Sequence, residues 1–438
     1  MERYYSSLIF ALIFSASFFG CDQKQKESKN TIKLTDEQLM DTVQKQTFKY
    51  FWDFADPHSG MAKERNTEAW VTSGGSGFGV MSIIVGIERN FITREQGLER
   101  LIKIVGFLET CDRFHGAWPH WLFGKTGKTK AFSKFDNGGD LVETAYLIQG
   151  LLTVQGYFSE ENERETELRS RIQTLWEEVE WDWYRKNGEN KLYWHWSEEY
   201  GWKMNMPVRG WNECLITYVL ASASPTHGVP PIVYHEGWTT SNHFFNGKEF
   251  EGLPLALGFD YGGPLFFAHY SFLGLNPNGL KDQYAIYFEL NRNHSLINYR
   301  YCMRNPKNFK GYAGDAWGLT ASDDPFVGYM AHGPGERDNG TISPTAAISS
   351  VIYTPEESLK AMHYYYQDLG DSLWGKFGFK DAYNLEVDWF ANTYLAIDQG
   401  PIMLMIENYR TGLLWKCFMK NEDVQNGLDN LGFDYKIP

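Results

Sequence analysis

The chain has 438 residues, with 41 Lys and Arg against 55 Asp and Glu and a formal net charge of −14. Such acidity speaks against a chain built to hold nucleic acid or an anionic membrane surface, while the length allows a large core. The other compositional mark is aromatic: 16 Trp, 26 Tyr and 30 Phe.

The first residues read as a processing segment. Arg3 supplies a positive start, Leu8 to Phe19 is an apolar run too short to span a bilayer, and the run ends Ser17-Phe18-Phe19-Gly20-Cys21. A small residue directly before Cys after such a run resembles a bacterial lipoprotein cleavage site. Residues 1–20 are therefore expected to be a signal peptide, Cys21 the lipidated first residue, and 21–34 a polar tether. The implied destination is export, in the periplasm or at the outer membrane of a Gram-negative bacterium, with the membrane touched only through the lipid. Removing residues 1–20 takes away Glu2 and Arg3 together, so the charge stays at −14. No Pro/Gly/Ser-rich linker follows, and residues 35–438 are expected to form a single domain. Cys111, Cys214, Cys302 and Cys417 have no CxxC or metal spacing and read as buried free thiols.

Helical signals fill the rest. Thr35-Asp36-Glu37-Gln38 opens as a capping box, with Leu39, Val43, Phe48 and Phe51 at helical spacing. Ser73–Asn90 is apolar almost throughout, and its Gly74-Gly75-Ser76-Gly77 run permits close backbone approach. Thr93-Arg94-Glu95-Gln96 opens a second amphipathic helix through Leu98, Leu101, Val105 and Leu108. Leu141–Gly156 is again apolar, and Glu160–Glu180 again carries one apolar stripe. A strand is predicted at Lys191–Trp196, paired with Trp202–Asn205 across Glu198–Gly201. Further helices are predicted near 211–223, 264–273, 281–291, 344–352, 391–397 and 400–420. The helix 354–369 starts with Thr354 as N-cap and Pro355 at its first position. Buried and amphipathic helices alternate, which predicts an all-α chain of two concentric helix layers, an α/α barrel of about a dozen helices with small β-hairpins in its loops.

The chemistry-bearing residues sit in the loops. Phe135-Asp136-Asn137-Gly138-Gly139-Asp140-Leu141-Val142-Glu143-Thr144 carries three carboxylates at offsets of four and three, at the entrance of a buried helix. Two roles fit Asp140, helix cap and acid–base group, and Glu143 leans toward structural support. Glu213, after Arg209-Gly210-Trp211-Asn212, stands at the start of another apolar helix, where partial desolvation would raise its pKa. Its plainer role is a first-turn Glu favoured by the helix dipole. Trp194 and Trp196 flank His195, which fits either a sugar hydrogen-bonder or a structural imidazole. Glycoside cleavage needs a proton donor to the leaving oxygen and a base or nucleophile across the bond. Flat aromatic faces with polar tips are suited to stacking on sugar rings. No HExxH, P-loop or G-x-S-x-G motif occurs, and no cofactor or metal is expected. Asp315, Asp323 and Asp324 lack the calcium-loop pattern, and Asp324 before Pro325 reads as a turn.

Four runs in series, 135–144, 209–213, Trp317-Gly318-Leu319-Thr320-Ala321-Ser322-Asp323 and Asp338-Asn339-Gly340-Thr341-Ile342-Ser343-Pro344, resemble the bacterial glucoamylase-like domain. The resemblance is strongest to the β-1,2-glucanases of glycoside hydrolase family 144, and it implies a single (α/α)6 barrel, or six-hairpin toroid, that hydrolyses β-1,2-glucan or sophoro-oligosaccharides in a central cleft. It further implies that Asp136, Asp140 and Glu213 are the essential acids. Glu213 is then expected as general acid, and Asp136 or Asp140 as the base of an inverting reaction. Trp194, Trp196, Trp211 and Trp317 are expected as sugar platforms, Arg209, Arg337, Glu143 and His195 as hydroxyl-bonding groups, and the protein as a monomer whose partner is the glucan. Two other readings stand beside this one: a non-catalytic glycan-binding lipoprotein, and a glycoside phosphorylase with Arg209, Arg337 and His332 around phosphate.

Overall fold

The computed structural model describes residues 34–312 and 315–438. The expected signal peptide, Cys21 and the tether up to Lys33 lie outside the described residues. In chain order the helices are α1 (Asp36–Trp52), α2 (Ser73–Glu88), α3 (Arg94–Leu108), α4 (Leu141–Tyr157), α5 (Glu163–Glu177), α6 (Leu215–Ala223) and α7 (Tyr287–Arg304). They continue as α8 (Pro344–Ser349), α9 (Pro355–Gln367), α10 (Gly370–Leu373), α11 (Ala396–Thr411), α12 (Leu413–Phe418) and α13 (Glu422–Asn430). A π-turn over Val233–Trp238 and 3-10 turns over Leu265–Ala268 and Tyr270–Phe272 complete the pattern. No helix among the described residues is long and apolar enough to cross a membrane.

The elements alternate between two layers, giving the expected (α/α)6 ring. The inner layer is α2, α4, α6, the 3-10 turns, α8 and α11. The outer layer is α1, α3, α5, the π-turn, α7 and α9, with α13 also covering α6. Hydrophobic patterning explains the sorting. α2 is buried without a break from Ser73 to Gly86 and α4 from Leu141 to Val154, as helices enclosed on all sides must be. α3 buries only the face carrying Leu98, Leu101, Ile104, Val105 and Leu108. Thr35 and Thr93 form the expected capping boxes with Gln38 and Gln96.

Two glycines let α2 and α4 approach closely. A Cβ built on Gly77 of α2 would lie 2.2 Å from the Tyr146 carbonyl oxygen, and one on Gly150 of α4 would lie 2.3 Å from the Gly77 carbonyl oxygen. The two backbones therefore touch, as the glycine-rich start of α2 led us to expect. The ring closes between its first helix and its last inner one. Gln44 Nε2 donates to Met403 O and to Glu407 Oε2, both at 3.2 Å. Arg410 bridges Glu37 and Asp41 at 2.9 and 2.7 Å. The four described cysteines are free and buried, as expected.

Several local expectations need correction. Leu192–Tyr193 pairs with Pro207–Val208, and His195–Trp196 pairs with Gly139–Asp140; Trp202–Asn205 is not the partner. The reason is that Trp194 O accepts the first free N–H of α4, from Leu141, at 2.8 Å, which draws the strand across to the helix. The helix predicted at 281–291 starts at Tyr287 and runs to Arg304. Residues 391–395 are not helical, and 400–420 is split at Gly412, whose φ of 66° ends α11. Thr354 does not cap α9, because its hydroxyl donates to Ser350 O one turn earlier.

Candidate active site

The inner helices begin at one end of the ring, and the loops leading into them wall three cavities. One, of about 500 Å3, is lined by Thr72 and Glu143 from the starts of α2 and α4, by Leu395 and Ile397 at the start of α11, and by His120 and Trp121. A second, of about 380 Å3, is lined by Arg209 to Asn212 just before α6. A third, of about 300 Å3, is lined by Pro264, Phe266 and the Gly333–Arg337 loop ahead of α8. Phe259 belongs to both the second and the third. These volumes are in the range of ordinary ligand sites. Helix N-termini make this end electropositive along the backbone, which favours carboxylates there.

Asp140 takes the capping role. Its Oδ1 accepts from Val142 N and Glu143 N at 3.0 and 2.9 Å. Its Oδ2 meets Trp194 Nε1 at 3.0 Å and His120 Nδ1 at 3.2 Å. With both oxygens occupied and no surface exposed, it supports the site without reaching solvent. Asp136 is different. Its nearest polar neighbour is His195 Nε2, at 3.5 Å. That nitrogen already accepts from Gly138 N–H at 2.9 Å, so it carries a lone pair and no proton. With that lone pair taken by Gly138, His195 offers Asp136 neither a proton nor a charge. Burial, and then the charges of Asp140 and Glu143, push Asp136 up to about 7. His195, fully enclosed with its pKa lowered by burial, is the structural imidazole and has no route to a sugar hydroxyl.

Glu143 Oε2 accepts from Gly74 N at 2.8 Å and Thr72 Oγ1 at 3.3 Å, tying α4 to the start of α2. Its Oε1 lies 3.9 Å from His120 Nε2. Burial pushes this carboxyl up, and the His120 charge pulls it back. For His120 burial opposes the cation, but Glu143 and Asp140 outweigh it and hold the imidazole at about 9. Ligand atoms of His120, Asp136 and Asp140 lie within 4.8 Å of one another. A metal ion there would have to displace the proton between His120 and Asp140, so the trio reads as a proton-sharing cluster.

Glu213 stands directly before α6, half-buried, its carbonyl held by the Ser271 hydroxyl and by Tyr146 Oη. Burial pushes its carboxyl up to about 7, with Glu143 adding to the rise and the Cys214 thiol offsetting part of it.

The expected platforms divide. Trp194 is half-buried with its indole N–H committed to Asp140, and Trp196 packs on His115 and Trp183. Trp317 is corrected: it is fully buried with Nε1 donating to Glu357 O and offers no face to a ring. Trp211 is 2% exposed and packed on Tyr287, Phe272 and Trp238, with one edge on the second cavity. The open aromatics are ones not expected as platforms. Phe132 is 49% exposed and lies 4.5 Å from His120 and 4.7 Å from Trp121, and Tyr329, Trp70 and Trp121 share the large cavity with it. Phe132→Ala is therefore expected to raise KM for an oligosaccharide about three- to tenfold with kcat nearly unchanged, the size of one lost aromatic contact. Trp317→Phe should leave KM alone and lower the melting temperature. Steady-state kinetics and a thermal melt on the two variants check both.

Arg209 and Arg337 are exposed and line different cavities. His332 is sealed, its Nε2 on Asp324 at 3.0 Å and its Nδ1 on Thr320 O at 3.1 Å. The three do not converge on a phosphate pocket, which removes the geometric basis of a phosphorylase. Asp324 accepts from Phe326 N and Val327 N as the turn residue it was expected to be.

A second carboxyl group went unread in the sequence. Asp323 Oδ1 accepts from Arg65 at 3.1 Å, and Asp323 N donates to Asp381 Oδ2 at 2.6 Å. Burial, then the charge of Asp323, pushes Asp381 up to about 7, and burial with Asp381 pushes Asp398 up as well. Arg65 also pairs with Glu64 at 2.9 Å, and both line the large cavity. The available signal was Asp398 itself, a carboxylate inside an apolar run at a helix start.

Comparison with known proteins agrees with this picture. The Glycoamylase family model, a glucoamylase description, matches residues 205–422. A curated protein of Parabacteroides distasonis, an exo beta-1,2-glucooligosaccharide sophorohydrolase (non-reducing end), is 46% identical over 432 residues, covering 94% of this chain. The chain spans 60% of that relative's length. The crystal structure of an endo-beta-1,2-glucanase from Chitinophaga pinensis, in complex with sophorotriose and glucose, superposes with a TM-score of 0.90 at 57% identity, covering 92% of this chain and 99% of that one. A beta-1,2-glucanase structure from Parabacteroides distasonis gives a TM-score of 0.89 at 46% identity, over 91% of this chain and 60% of that one.

Proposed function

The chain belongs to the glucoamylase-like family, and from that premise we propose that it is a glycoside hydrolase of β-1,2-glucan and its oligosaccharides. The observation that carries the reading is a pair of carboxyls set just behind the wall of the large cavity and pushed up to about 7: Asp136, clustered with His120, and Glu213, raised by burial and by Glu143, where His120 and Glu143 are both wall residues. Relatives that act on β-1,2-glucans across nearly the whole fold supply the substrate class. A protein that only bound glycans would have no use for the cost of burying such groups. Glu213 protonates the leaving oxygen. Asp136 takes the proton of the attacking water, so the anomeric centre inverts. Asp140 holds the start of α4 and the Trp194 indole in place. The apolar run ahead of Cys21 supports export and lipid anchoring, which would set the enzyme on glucan outside the cytoplasm.

The proposed reaction needs Glu213 protonated and Asp136 ionised together. With both groups near 7, the product of those fractions peaks near neutrality and falls on both sides. kcat/KM on linear β-1,2-glucan is expected to trace a bell centred at about pH 7, dropping roughly 25-fold two units to either side. Reducing-end release across a pH series measures it, and NMR of the first product gives the anomer. A folded protein releasing nothing from linear β-1,2-glucan would sink the reading, and a first product of retained configuration would overturn the water-activating role of Asp136.

A further inference from the structure

His120 is the cleft residue whose role the proposed reaction leaves open, and it is unusually well fixed. Its carbonyl accepts the Ser73 N–H at the start of α2 at 3.1 Å, and two residues earlier Trp118 O accepts the Asp140 N–H at 2.9 Å. The Trp118–His120 strand of loop thus laces the starts of two inner helices together. The imidazole is held by Trp121 edge-on at 5.5 Å and by Phe132 at 4.5 Å. Its two nitrogens face two different carboxyls of α4, Asp140 at 3.2 Å and Glu143 at 3.9 Å.

The charges around it come from every neighbouring element. α4 and its approach bring Asp136, Asp140 and Glu143, and the loop before α2 brings Glu64 and Arg65. Arg65 is engaged by Glu64 and Asp323. His195 Nε2 accepts from Gly138 N–H and brings no proton to Asp136. His120 is thus the cation available to the Asp136–Asp140–Glu143 group among the described residues.

We propose that His120 is a positioning residue, an imidazolium clamped between the Asp140 and Glu143 carboxyls whose charge favours the ionised form of Asp136 beside it. The proposal rests on the hydrolase reading only for its kinetic consequence. The sign of that consequence follows from electrostatics: a cation beside Asp136 favours its ionised form, so removing the cation raises the pH at which Asp136 becomes a base.

Two measurements test it. In protein labelled with 15N-histidine, the His120 side-chain signals, identified by their loss in His120→Gln, should show both nitrogens protonated at pH 7.5. In His120→Gln the acid limb of the kcat/KM profile should move up by about one pH unit, roughly a fivefold loss at pH 5.5 relative to wild type when both are normalised at pH 8, with KM changing far less than kcat. A neutral His120 at pH 7.5 overturns the proposal. So does a variant slowed equally at every pH, the signature of a merely structural role. If His120→Gln fails to fold, His120→Asn serves for both assignment and profile. The NMR measurement needs no substrate, so a protein that cleaves no β-1,2-glucan defeats the hydrolase reading and leaves the protonation state of His120 to decide this one.

Discussion

Glu213→Gln is expected to lower kcat on β-1,2-glucan by about a thousandfold, within the range that general acid catalysis supplies. Gln has the same shape and reach but no proton to give to the leaving oxygen. The fold should survive, and stability separates lost chemistry from lost structure. In the folded protein the Glu213 carboxyl sits at about 7 against an ordinary 4.5, raised first by burial. A raised carboxyl opposes folding wherever the unfolded chain would ionise it. The opposition is fully present above about pH 7, shrinks as pH falls, and is gone below about 4.5. Gln carries no such penalty, so the variant should melt above wild type at pH 8 and match it at pH 4. Circular dichroism melts at the two values check this. A variant that is inactive and also less stable at pH 8 would mean that Glu213 serves the fold instead.

Gly150→Val is expected to cost about 3 kcal/mol or more, enough to leave much of the protein unfolded or insoluble. The strain falls on backbone, because the added carbon meets the Gly77 carbonyl oxygen at 2.3 Å and the Val80 side chain at 2.8 Å. Neither helix can move alone: α2 is tied to α4 through Gly74 N and Glu143, and its start carries the cavity wall at Thr72. Gly106 of α3 is the matched control. A Cβ there meets only the far end of the Arg171 side chain, at 3.1 Å, so Gly106→Ala should be neutral or stabilising by about 0.5–1 kcal/mol. Urea denaturation of the two variants gives both values. Equal effects would show that the α2–α4 crossing is looser than its geometry.

Much of this architecture was legible because burial writes itself into periodicity. The unbroken apolar runs of α2 and α4 predicted the inner ring, and the one-sided stripes of α1, α3 and α5 the outer one. What failed was information that depends on distant partners. The strand at Leu192 was visible, but its pairing with Val208 depends on Trp194 being drawn to the first N–H of α4. Aromatic platforms were assigned to Trp for its chemistry. Exposure decides that role, and local sequence does not separate the sealed Trp317 from the open Phe132. The Asp136–Glu143 segment stood out because three carboxylates share ten residues. The Asp323, Asp381 and Asp398 group stayed hidden because its members come from segments that only the closed ring brings together. The ambiguity of Asp140 was real, and its four partners resolved it toward the cap.

The closure between α1 and α11 also bears on the time before the protein is finished. Gln44 and its acceptor at Met403 are separated by 359 positions, so the first helix, though it can pack early on α2 through Phe48 and Phe51, cannot make its closing contacts until nearly all of the chain has left the ribosome. A nascent chain of this kind remains open through most of synthesis, since pairings this remote form slowly and late. On the export reading proposed above, postponing the last join until the end suits a chain that threads a translocation channel before folding. The same delay leaves the apolar faces of α2 and α4 in need of a chaperone on the way.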